Sequence, residues 1–335
     1  MAQSYDALIV ISFGGPNSND DVIPFLENVL RGKPVPRSRM LEVAEHYYHF
    51  GGKSPINEQN LALIDALKLE LQRREITLPI YFGNRNWKPY IPEALEQMKA
   101  DGVRRALAFF TSGFSSYSGC RQYRENVAKA QETVGEGAPR IDLLRKFYNH
   151  PGFIGALADL TSEAVSRLSP EGQAGNKVLF VAHSIPLSMA DHSRYEEQLR
   201  ESSRLIADSC GLHDWELVFQ SRSGPPTQPW LEPDICDRID TLPSEGFKAV
   251  TVVPVGFVSD HMEILFDLDT EAVEKAREVG LEMARVPTVG THPKFVGMIG
   301  ELISERLGLQ EERRALGQFG PSYDVCPANC CLYPR

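Results

Sequence analysis

The chain has 335 residues, of which 42% are hydrophobic, and its 35 Lys and Arg face 45 Asp and Glu for a formal net charge of −10. This length allows a large core and favours two domains, whereas the acidic balance argues against nucleic acid or an anionic membrane as the partner. No apolar run approaches the roughly 20 residues of a membrane-spanning helix, and no signal-peptide pattern is present, so we expect a cytoplasmic protein.

Short apolar runs alternate with amphipathic segments along the chain. Apolar runs bounded by turn residues are typical of buried parallel strands, and they predict strands at residues 7–13, 78–82, 105–110, 140–144, 178–182, 216–220, 249–255 and 283–286. The segments between them predict helices, among them residues 57–74 with a core-facing apolar stripe. Alternation of this kind indicates an α/β fold with parallel sheets. We expect domains at residues 1–170 and 171–310, followed by a tail at 311–335.

The first strand runs directly into Gly14-Gly15-Pro16, where glycine lets the backbone turn tightly and approach a ligand. The chain contains neither the GxGxxG pattern nor a P-loop, so a nucleotide-binding fingerprint is missing. Further along, a Pro-rich segment predicted as a loop carries four cations within nine residues: Arg31, Lys33, Arg37 and Arg39. That density suits a carboxylate or phosphate partner, although an ordinary solvated loop has the same composition.

Two later strands end in polar residues that can carry chemistry. The run at 178–182 is followed by His183, and the run at 249–255 leads to Glu263. Ligands bind beyond the carboxyl ends of parallel strands, and imidazole and carboxylate in one cleft can move protons or hold a divalent metal transiently. The alternative is a histidine that is satisfied by its own backbone neighbours.

Glu263, Asp267 and Glu271 are spaced by four residues, which places three carboxylates on one stripe of a helix. Like charges at this spacing are mildly destabilising. The stripe therefore indicates either a route for hydrated cations or a plain solvated face.

Residues 181–186, Val-Ala-His-Ser-Ile-Pro, and residues 257–267, Phe-Val-Ser-Asp-His-Met-Glu-Ile-Leu-Phe-Asp, together resemble the ferrochelatase family. Residues 7–16, 51–55 and 220–222 are similar to the family's other landmarks, in the same order, and the resemblance covers most of the chain. It implies insertion of ferrous iron into a porphyrin during haem synthesis. It also implies two Rossmann-like halves, each a parallel β-sheet flanked by helices, with the active-site cleft between them.

The resemblance assigns roles to the residues of these motifs. His183 and Glu263 would be the central pair that accepts pyrrole protons and handles the incoming iron, and Asp260 and His261 would hydrogen-bond to this pair and orient it. Asp267 and Glu271 would continue an outer route for the cation. Metallation removes two pyrrole protons and strips water from iron, so such groups belong beside the macrocycle.

The resemblance also implies contacts to the porphyrin. Phe13 lies where relatives place an aromatic residue against the macrocycle, and Arg31, Ser54 and Tyr123 lie where the family contacts propionates. Some relatives carry a histidine in the stretch that matches residues 85–89. This chain has none there, so a metal-handling role for that stretch does not transfer.

Three of the six cysteines, Cys326, Cys330 and Cys331, lie within the last ten residues. Many ferrochelatases hold a 2Fe–2S cluster with three C-terminal cysteines and one internal cysteine, and Cys120 resembles the internal ligand. Four thiolates meet the usual requirement of such a cluster. A zinc site and oxidisable tail thiols are the alternatives, and Cys210 and Cys236 are expected to pack as small hydrophobic residues.

The porphyrin is either protoporphyrin IX or coproporphyrin III, and the start of the chain and its cysteine tail look most like enzymes of coproporphyrin-using bacteria. A cobalt or sirohydrochlorin chelatase would show extra histidines and no cysteine tail. A non-catalytic haem or iron–sulfur binding protein would leave Glu263 and its neighbouring carboxylates without a role. As in many bacterial relatives, we expect a monomer, with transient contact to neighbouring haem-pathway enzymes.

Overall fold

The computed structural model describes residues 4–32, 35–225 and 227–333. Its strands form two four-stranded sheets in which every pairing is parallel, as the apolar runs predict. The first sheet comprises β1 (Ala7–Ser12), β2 (Ile80–Asn84), β3 (Arg105–Phe110) and β4 (Arg140–Leu143). The second comprises β5 (Asn176–His183), β6 (Trp215–Gln220), β7 (Ala249–Val253) and β8 (Glu282–Arg285).

Helices connect the strands and flank both sheets. In the first half they are α1 (Asn19–Leu30), α2 (Arg37–His49), α3 (Ile56–Arg73), α4 (Ile91–Ala100), α5 (Gln122–Val134) and α6 (Pro151–Ser166). The second half contains α7 (Pro170–Ala174), α8 (Leu187–Asp191), α9 (Tyr195–Cys210), α10 (Ile235–Thr241), α11 (Met262–Phe266), α12 (Val273–Glu278) and α13 (Pro293–Leu307). A π-helical turn precedes α5 at Tyr117–Arg121, another joins α11 to α12 at Asp267–Ala272, and a 3₁₀ turn follows α10 at Leu242–Glu245.

The two sheets have the same topology, with strand orders β2-β1-β3-β4 and β6-β5-β7-β8. In each sheet the chain first adds a strand on one side of the leading strand and then crosses to the other side. Ligands bind at the carboxyl ends of the strands where the order reverses in this way. The residues that follow β1, β5 and β7 therefore occupy the position expected of a site, and the predicted fold class is confirmed.

One continuous apolar core joins the halves. It includes Leu8 and Phe109 from the first sheet and Phe180 and Leu217 from the second, all nearly inaccessible to solvent. Helix α6 precedes the expected domain boundary at residue 170, yet it packs against α9 and α13 of the second half. The domain limits remain a prediction. Within the described part of the chain, no helix has both the length and the apolar character needed to span a bilayer.

Part of the segment that was predicted as a basic loop is helical. The basic segment from Arg31 to Arg39 was expected to be a loop throughout, but α2 begins at Arg37, directly after Pro36. In the same way, Ser169 caps α7 and Pro170 occupies its first turn. Proline is preorganised for the first turn of a helix, so a Pro-containing segment also suits a helix start. Lys33 lies outside the described residues.

Candidate active site

His183 is the last residue of β5, and its side chain is 34% exposed. Its Nδ1 lies 2.5 Å from the carbonyl oxygen of Ser184. Because a carbonyl only accepts hydrogen bonds, Nδ1 carries the proton in the neutral ring, and Nε2 presents a lone pair. The hydroxyl of Tyr195 donates to the His183 carbonyl at 3.0 Å and fixes the end of the strand. The backbone contact foreseen in the alternative reading is therefore present, and it leaves Nε2 available.

Glu263 lies in the first turn of α11, and its side chain is 48% exposed. Its Oε2 is 3.5 Å from Nε2 of His183, so the two residues expected to share a cleft do meet. The Glu263 carbonyl accepts a hydrogen bond from Nε2 of Gln220 at 3.5 Å, which ties α11 to the end of β6. With Nδ1 protonated, two lone-pair sites face each other. This arrangement can receive a proton or a cation between them.

His261 immediately precedes α11 and forms the third member of this group. Its Nδ1 is 3.9 Å from Oε2 of Glu263, and its ring packs edgewise on Phe257 with the centroids 5.1 Å apart. Burial lowers the pKa of His261, and this effect outweighs the opposing influence of Glu263. The ring is therefore neutral at neutral pH and can donate one hydrogen bond toward the carboxylate.

Among the described residues, the hydrogen-bond and ion-pair partners of the Asp260 side chain lie outside the His183–Glu263 pair, and the expected orientation of that pair by Asp260 remains a prediction. Its carboxylate accepts a hydrogen bond from Gln59 at 3.3 Å and forms an ion pair with Arg285 at 2.7 Å. The Asp260 backbone N–H also donates to Gln59, at 2.7 Å. Asp260 therefore anchors the segment that carries His261 and Glu263. No local pattern could have revealed these partners, since Gln59 lies 201 residues earlier.

Asp267 continues the row of acids one turn beyond Glu263. Burial, together with the charges of Glu263 and Glu271, raises the pKa of Asp267 to about 7. The hydrogen bond that the Ser221 hydroxyl donates to the Asp267 carboxylate opposes this shift. Partial burial and then Asp234 raise the pKa of Glu271. A π-helical turn occupies Asp267–Ala272, so the regular helical stripe expected for the three acids is interrupted. The carboxylates nevertheless remain close enough to affect one another.

The second half contacts α1 and α2 next to this site. Met262 of α11 packs into an apolar cluster with Tyr47 of α2 and Trp87. His46 of α2 stacks on Phe266 of α11, with ring centroids 3.6 Å apart. These contacts bring α2 beside Glu263, whose charge also raises the pKa of buried Tyr47 after burial itself. No local pattern in the sequence predicts these contacts between α2 and α11.

Phe13 follows β1 and is 36% exposed. Its ring packs edgewise on Phe25, with centroids 6.3 Å apart, and the guanidinium of Arg85 lies 5.7 Å from its centroid. An exposed ring at the end of a central strand suits contact with a flat ligand. Its position agrees with the expectation, whereas contact with the ligand remains a prediction.

The three candidate propionate contacts lie in different environments. Arg31 is exposed and its guanidinium donates to Asn28, while Ser54 is buried with its backbone N–H bound to the Pro16 carbonyl at 2.9 Å. Tyr123 packs in the apolar core below the Arg85 guanidinium, 4.4 Å from its ring centroid. Contact of Tyr123 with a propionate remains a prediction. The apolar spacing along α5 is the sequence pattern that indicates burial of the Tyr123 ring in the core.

The tail folds back onto the first half and brings its cysteines near Cys120. A cavity of about 160 Å³ is lined by Cys120, Cys326 and the cations Arg124 and Lys146, among other residues. A hydrogen bond from Cys326 lowers the pKa of Cys120 to about 5, and the sulfurs of Cys330 and Cys331 are 3.4 Å apart. Across the described ranges, however, no three His, Cys, Asp or Glu side chains are close enough together to bind a metal ion.

The remaining cysteines pack as expected for small hydrophobic residues. The Cys210 thiol donates to the Ala158 carbonyl at 3.4 Å, and burial raises its pKa. Burial, reinforced by Asp234, raises the pKa of Cys236 to about 12. Both thiols therefore stay protonated and unreactive at neutral pH.

Comparison with known proteins agrees with the geometry. The chain matches the ferrochelatase family over residues 5–307. It is 61% identical to a ferrochelatase of Rhodopirellula baltica, over 99% of this chain and 95% of the relative. It is 48% identical to a coproporphyrin III ferrochelatase of Streptomyces griseus, over 98% and 93% of the two chains. The structure of SirB from Bacillus subtilis with Fe³⁺ shares the fold, with a TM-score of 0.55 at 11% identity over 93% and 99% of the two chains.

The match covers both sheets and the segments that place His183 beside Glu263. Likeness at 11% identity shows the fold alone, whereas identities of 61% and 48% over nearly the whole chain show the family. The chain therefore belongs to the ferrochelatase family, and the predicted activity, insertion of ferrous iron into a porphyrin, is the activity of that family.

Proposed function

We propose that this ferrochelatase metallates coproporphyrin III, with His183 and Glu263 as the catalytic pair. The observation that carries the proposal is the 3.5 Å approach of the Glu263 carboxylate to Nε2 of His183. Metallation requires two pyrrole protons to leave and ferrous iron to exchange its water ligands for nitrogen. An imidazole lone pair beside a carboxylate serves both needs, since either group accepts a proton and either binds iron transiently.

The surrounding residues provide the next acceptors. A proton or hydrated cation that leaves the pair meets Asp267, whose pKa of about 7 lets the carboxyl gain and lose a proton near neutral pH. Glu271 then leads toward solvent. Neutral His261 does not oppose the approach of a cation as an imidazolium would. This row supports a route for protons and iron along α11 and the π-helical turn after it.

The choice of coproporphyrin III rests on a relative of that name and on available charge. The 48% identical Streptomyces griseus protein is named coproporphyrin III ferrochelatase. Four propionates need several cations, and Arg31 and Arg37 are both exposed near the start of α2. Arg39 is engaged with Glu42 at 2.8 Å and is a weaker candidate. We expect Arg31 and Arg37 to receive propionates.

The substrate is tested by anaerobic turnover with ferrous iron, with coproporphyrin III and protoporphyrin IX offered separately and together. We expect higher kcat/KM for coproporphyrin III. The Arg31→Gln/Arg37→Gln double variant should raise KM for coproporphyrin III more than KM for protoporphyrin IX. Arg167→Gln, an exposed cation at the end of α6, is the matched control. Preference for protoporphyrin IX in the unaltered enzyme would refute the substrate assignment but leave the catalytic pair standing.

We also propose that Cys120, Cys326, Cys330 and Cys331 hold a 2Fe–2S cluster. Cys120 and Cys326 line one cavity, and the sulfurs of Cys330 and Cys331 are 3.4 Å apart on the docked tail. Thiolates are the ligands that such clusters require, and the cations Lys146 and Arg124 line the same cavity. The donor set and its charge environment fit the group. When bound, the cluster would supply one-electron redox chemistry and a cross-link between the tail and the first half.

The cluster is tested by anaerobic purification followed by iron and sulfide analysis and visible absorption. We expect about two iron and two sulfide per chain, from the composition of the cluster. Cys326→Ser should lose both, whereas Cys210→Ser, on the far helix α9, should keep them. Iron without sulfide, or zinc instead of iron, would refute the assignment. A monomeric state and a cytoplasmic location also remain proposals, and sedimentation of the purified chain tests the first.

A further inference from the structure

Lys146 is a buried cation in the segment between β4 and α6, and it is 8% exposed. Its ammonium donates to the carbonyl oxygens of Ser112, at 2.7 Å, and Gly119, at 2.9 Å. Within the described residues, no carboxylate lies within ion-pair distance of it. Removing an ammonium from water is costly unless an anion compensates for the loss. Two neutral carbonyls satisfy its hydrogen bonds but leave its charge uncompensated.

A second cation nearby, Arg124, also lacks a partner for part of its charge in the described part of the chain. The Nη1 atom of Arg124 is buried and has no hydrogen-bond partner among the described residues. Arg124 and Lys146 line the cavity that also contains Cys120 and Cys326. A buried ammonium and a buried guanidinium nitrogen on one cavity, neither with a carboxylate partner among the described residues, indicate that an anion belongs there.

Asp142 and Asp324 also line the cavity, but Asp142 is paired with Arg105 and Asp324 with Arg313. The cysteines are therefore the remaining source of negative charge. Gly119, whose carbonyl binds Lys146, directly precedes Cys120. Burial lowers the pKa of Lys146, and all four cysteines, Cys120, Cys331, Cys326 and Cys330, oppose that shift through their charge. The ammonium therefore lies within electrostatic reach of every proposed cluster ligand.

We propose that Lys146, assisted by Arg124, is the fixed counter-charge that holds the cluster and raises its reduction potential. The inference rests on the proposed 2Fe–2S cluster. Two ferric ions, two sulfides and four thiolates give a doubly negative oxidised cluster, and one electron from an external reductant adds a further negative charge. A nearby fixed cation stabilises the reduced form more than the oxidised form, so it shifts the potential upward.

A purely structural role for Lys146 makes a different prediction. If the ammonium served only to link the Ser112 and Gly119 carbonyls, its loss would lower the stability of the loop without changing the redox equilibrium of an assembled cluster. The reduction potential is therefore the readout that separates charge from structure. Lys146→Arg keeps the positive charge but changes the shape of the side chain, so it also distinguishes an effect of charge from an effect of structure.

The test uses the full chain, purified anaerobically, with dithionite as the reductant and the visible spectrum as the readout. In Lys146→Met, we expect the equilibrium constant for reduction to fall at least tenfold, which is about 59 mV for a one-electron couple. Lys129→Met removes an exposed lysine from α5 and should leave the potential unchanged. A Lys146→Met cluster with the potential of the unaltered protein would overturn the proposal.

Further variants keep the test decisive if Lys146→Met does not assemble a cluster. Restored iron and sulfide in Lys146→Arg, with a lowered potential in Arg124→Gln, would support the role of charge. An empty Lys146→Arg together with an unchanged potential in Arg124→Gln would overturn it. Absence of iron and sulfide from the unaltered protein would instead refute the cluster itself, so the two failures are distinguishable.

Discussion

Gln59 on α3 and Asp260 ahead of α11 are joined by two hydrogen bonds that cross between the halves of the molecule. The Asp260 N–H donates to the Gln59 side-chain carbonyl at 2.7 Å, and the Gln59 amide donates to the Asp260 carboxylate at 3.3 Å. Arg285 at the end of β8 holds the other carboxylate oxygen at 2.7 Å. The segment that carries His261 and Glu263 is therefore fixed from both halves at once.

Replacing Gln59 with alanine should impair catalysis more than binding. Without its anchor to the first half, the loop before α11 places Glu263 less accurately, and misplacement of about 1 Å can cost about 100-fold in rate. We expect kcat to fall at least about tenfold, with porphyrin affinity nearly unchanged. Steady-state kinetics and porphyrin titration measure these quantities. Gln97→Ala, at an exposed position of α4, is the control. An unchanged kcat in Gln59→Ala would show that the bonds are not needed.

Asp267 should make the protein less stable as the pH rises. Burial and nearby acids raise its pKa to about 7 in the folded protein, so the folded state holds a proton that the unfolded chain releases near its usual pKa of 3.8. Below pH 4 the carboxyl is protonated in both states and, as far as this group is concerned, the protein has the full free energy of unfolding. This free energy falls as the pH rises toward and through 7. Relative to the unaltered protein, Asp267→Asn should gain on the order of 2–4 kcal/mol of unfolding free energy between pH 4 and pH 8.

Urea unfolding at the two pH values tests this difference. Asp65→Asn removes an exposed carboxylate from α3 and should change stability by less than about 0.5 kcal/mol at either pH. A difference between Asp267→Asn and the unaltered protein that stayed constant from pH 4 to pH 8 would show that the carboxyl is ionised in the folded state.

Arg145 and Glu305 form a buried ion pair that links the first half to α13. Two hydrogen bonds of 2.7 and 2.8 Å join them, and their side chains are only 1% and 4% exposed. Glu305→Gln leaves the guanidinium buried without its counter-charge, so we expect a loss of about 3–5 kcal/mol in unfolding free energy. Chemical denaturation provides the measurement. Glu163→Gln breaks an exposed pair on α6 and should cost less than about 1 kcal/mol; equal losses would contradict the distinction.

The strands could be predicted from the sequence because a parallel strand buried on both faces is encoded locally, as a continuous apolar run. The run that precedes His183 is an example, and its five apolar residues, 178–182, coincide with the buried part of β5. The rule that ligands bind beyond the carboxyl ends of parallel strands made His183 and Glu263 candidates. The family resemblance implied that they form a pair, whereas their distance is known only from the structure.

Other features depend on contacts between distant segments and lack a local signal. The bonds between Gln59 and Asp260 join residues 201 positions apart. The π-helical turn after Glu263 interrupts a spacing that looks regular in the sequence. The apolar periodicity of α5 accounts for the burial of the Tyr123 ring, whereas contact of Tyr123 with a propionate remains a prediction.

The central claim is that the Glu263 carboxylate and the His183 imidazole act together on the porphyrin. Anaerobic turnover of coproporphyrin III with ferrous iron, measured beside equilibrium porphyrin binding for Glu263→Gln, tests it most directly. We predict a fall in kcat of at least about 100-fold, the usual contribution of a positioned acid–base group, with affinity retained. Glu274→Gln, an exposed acid on α12, should behave as the unaltered enzyme. Glu263→Gln with an undiminished rate would contradict the account, since the carboxylate would then have no part in proton removal or iron delivery.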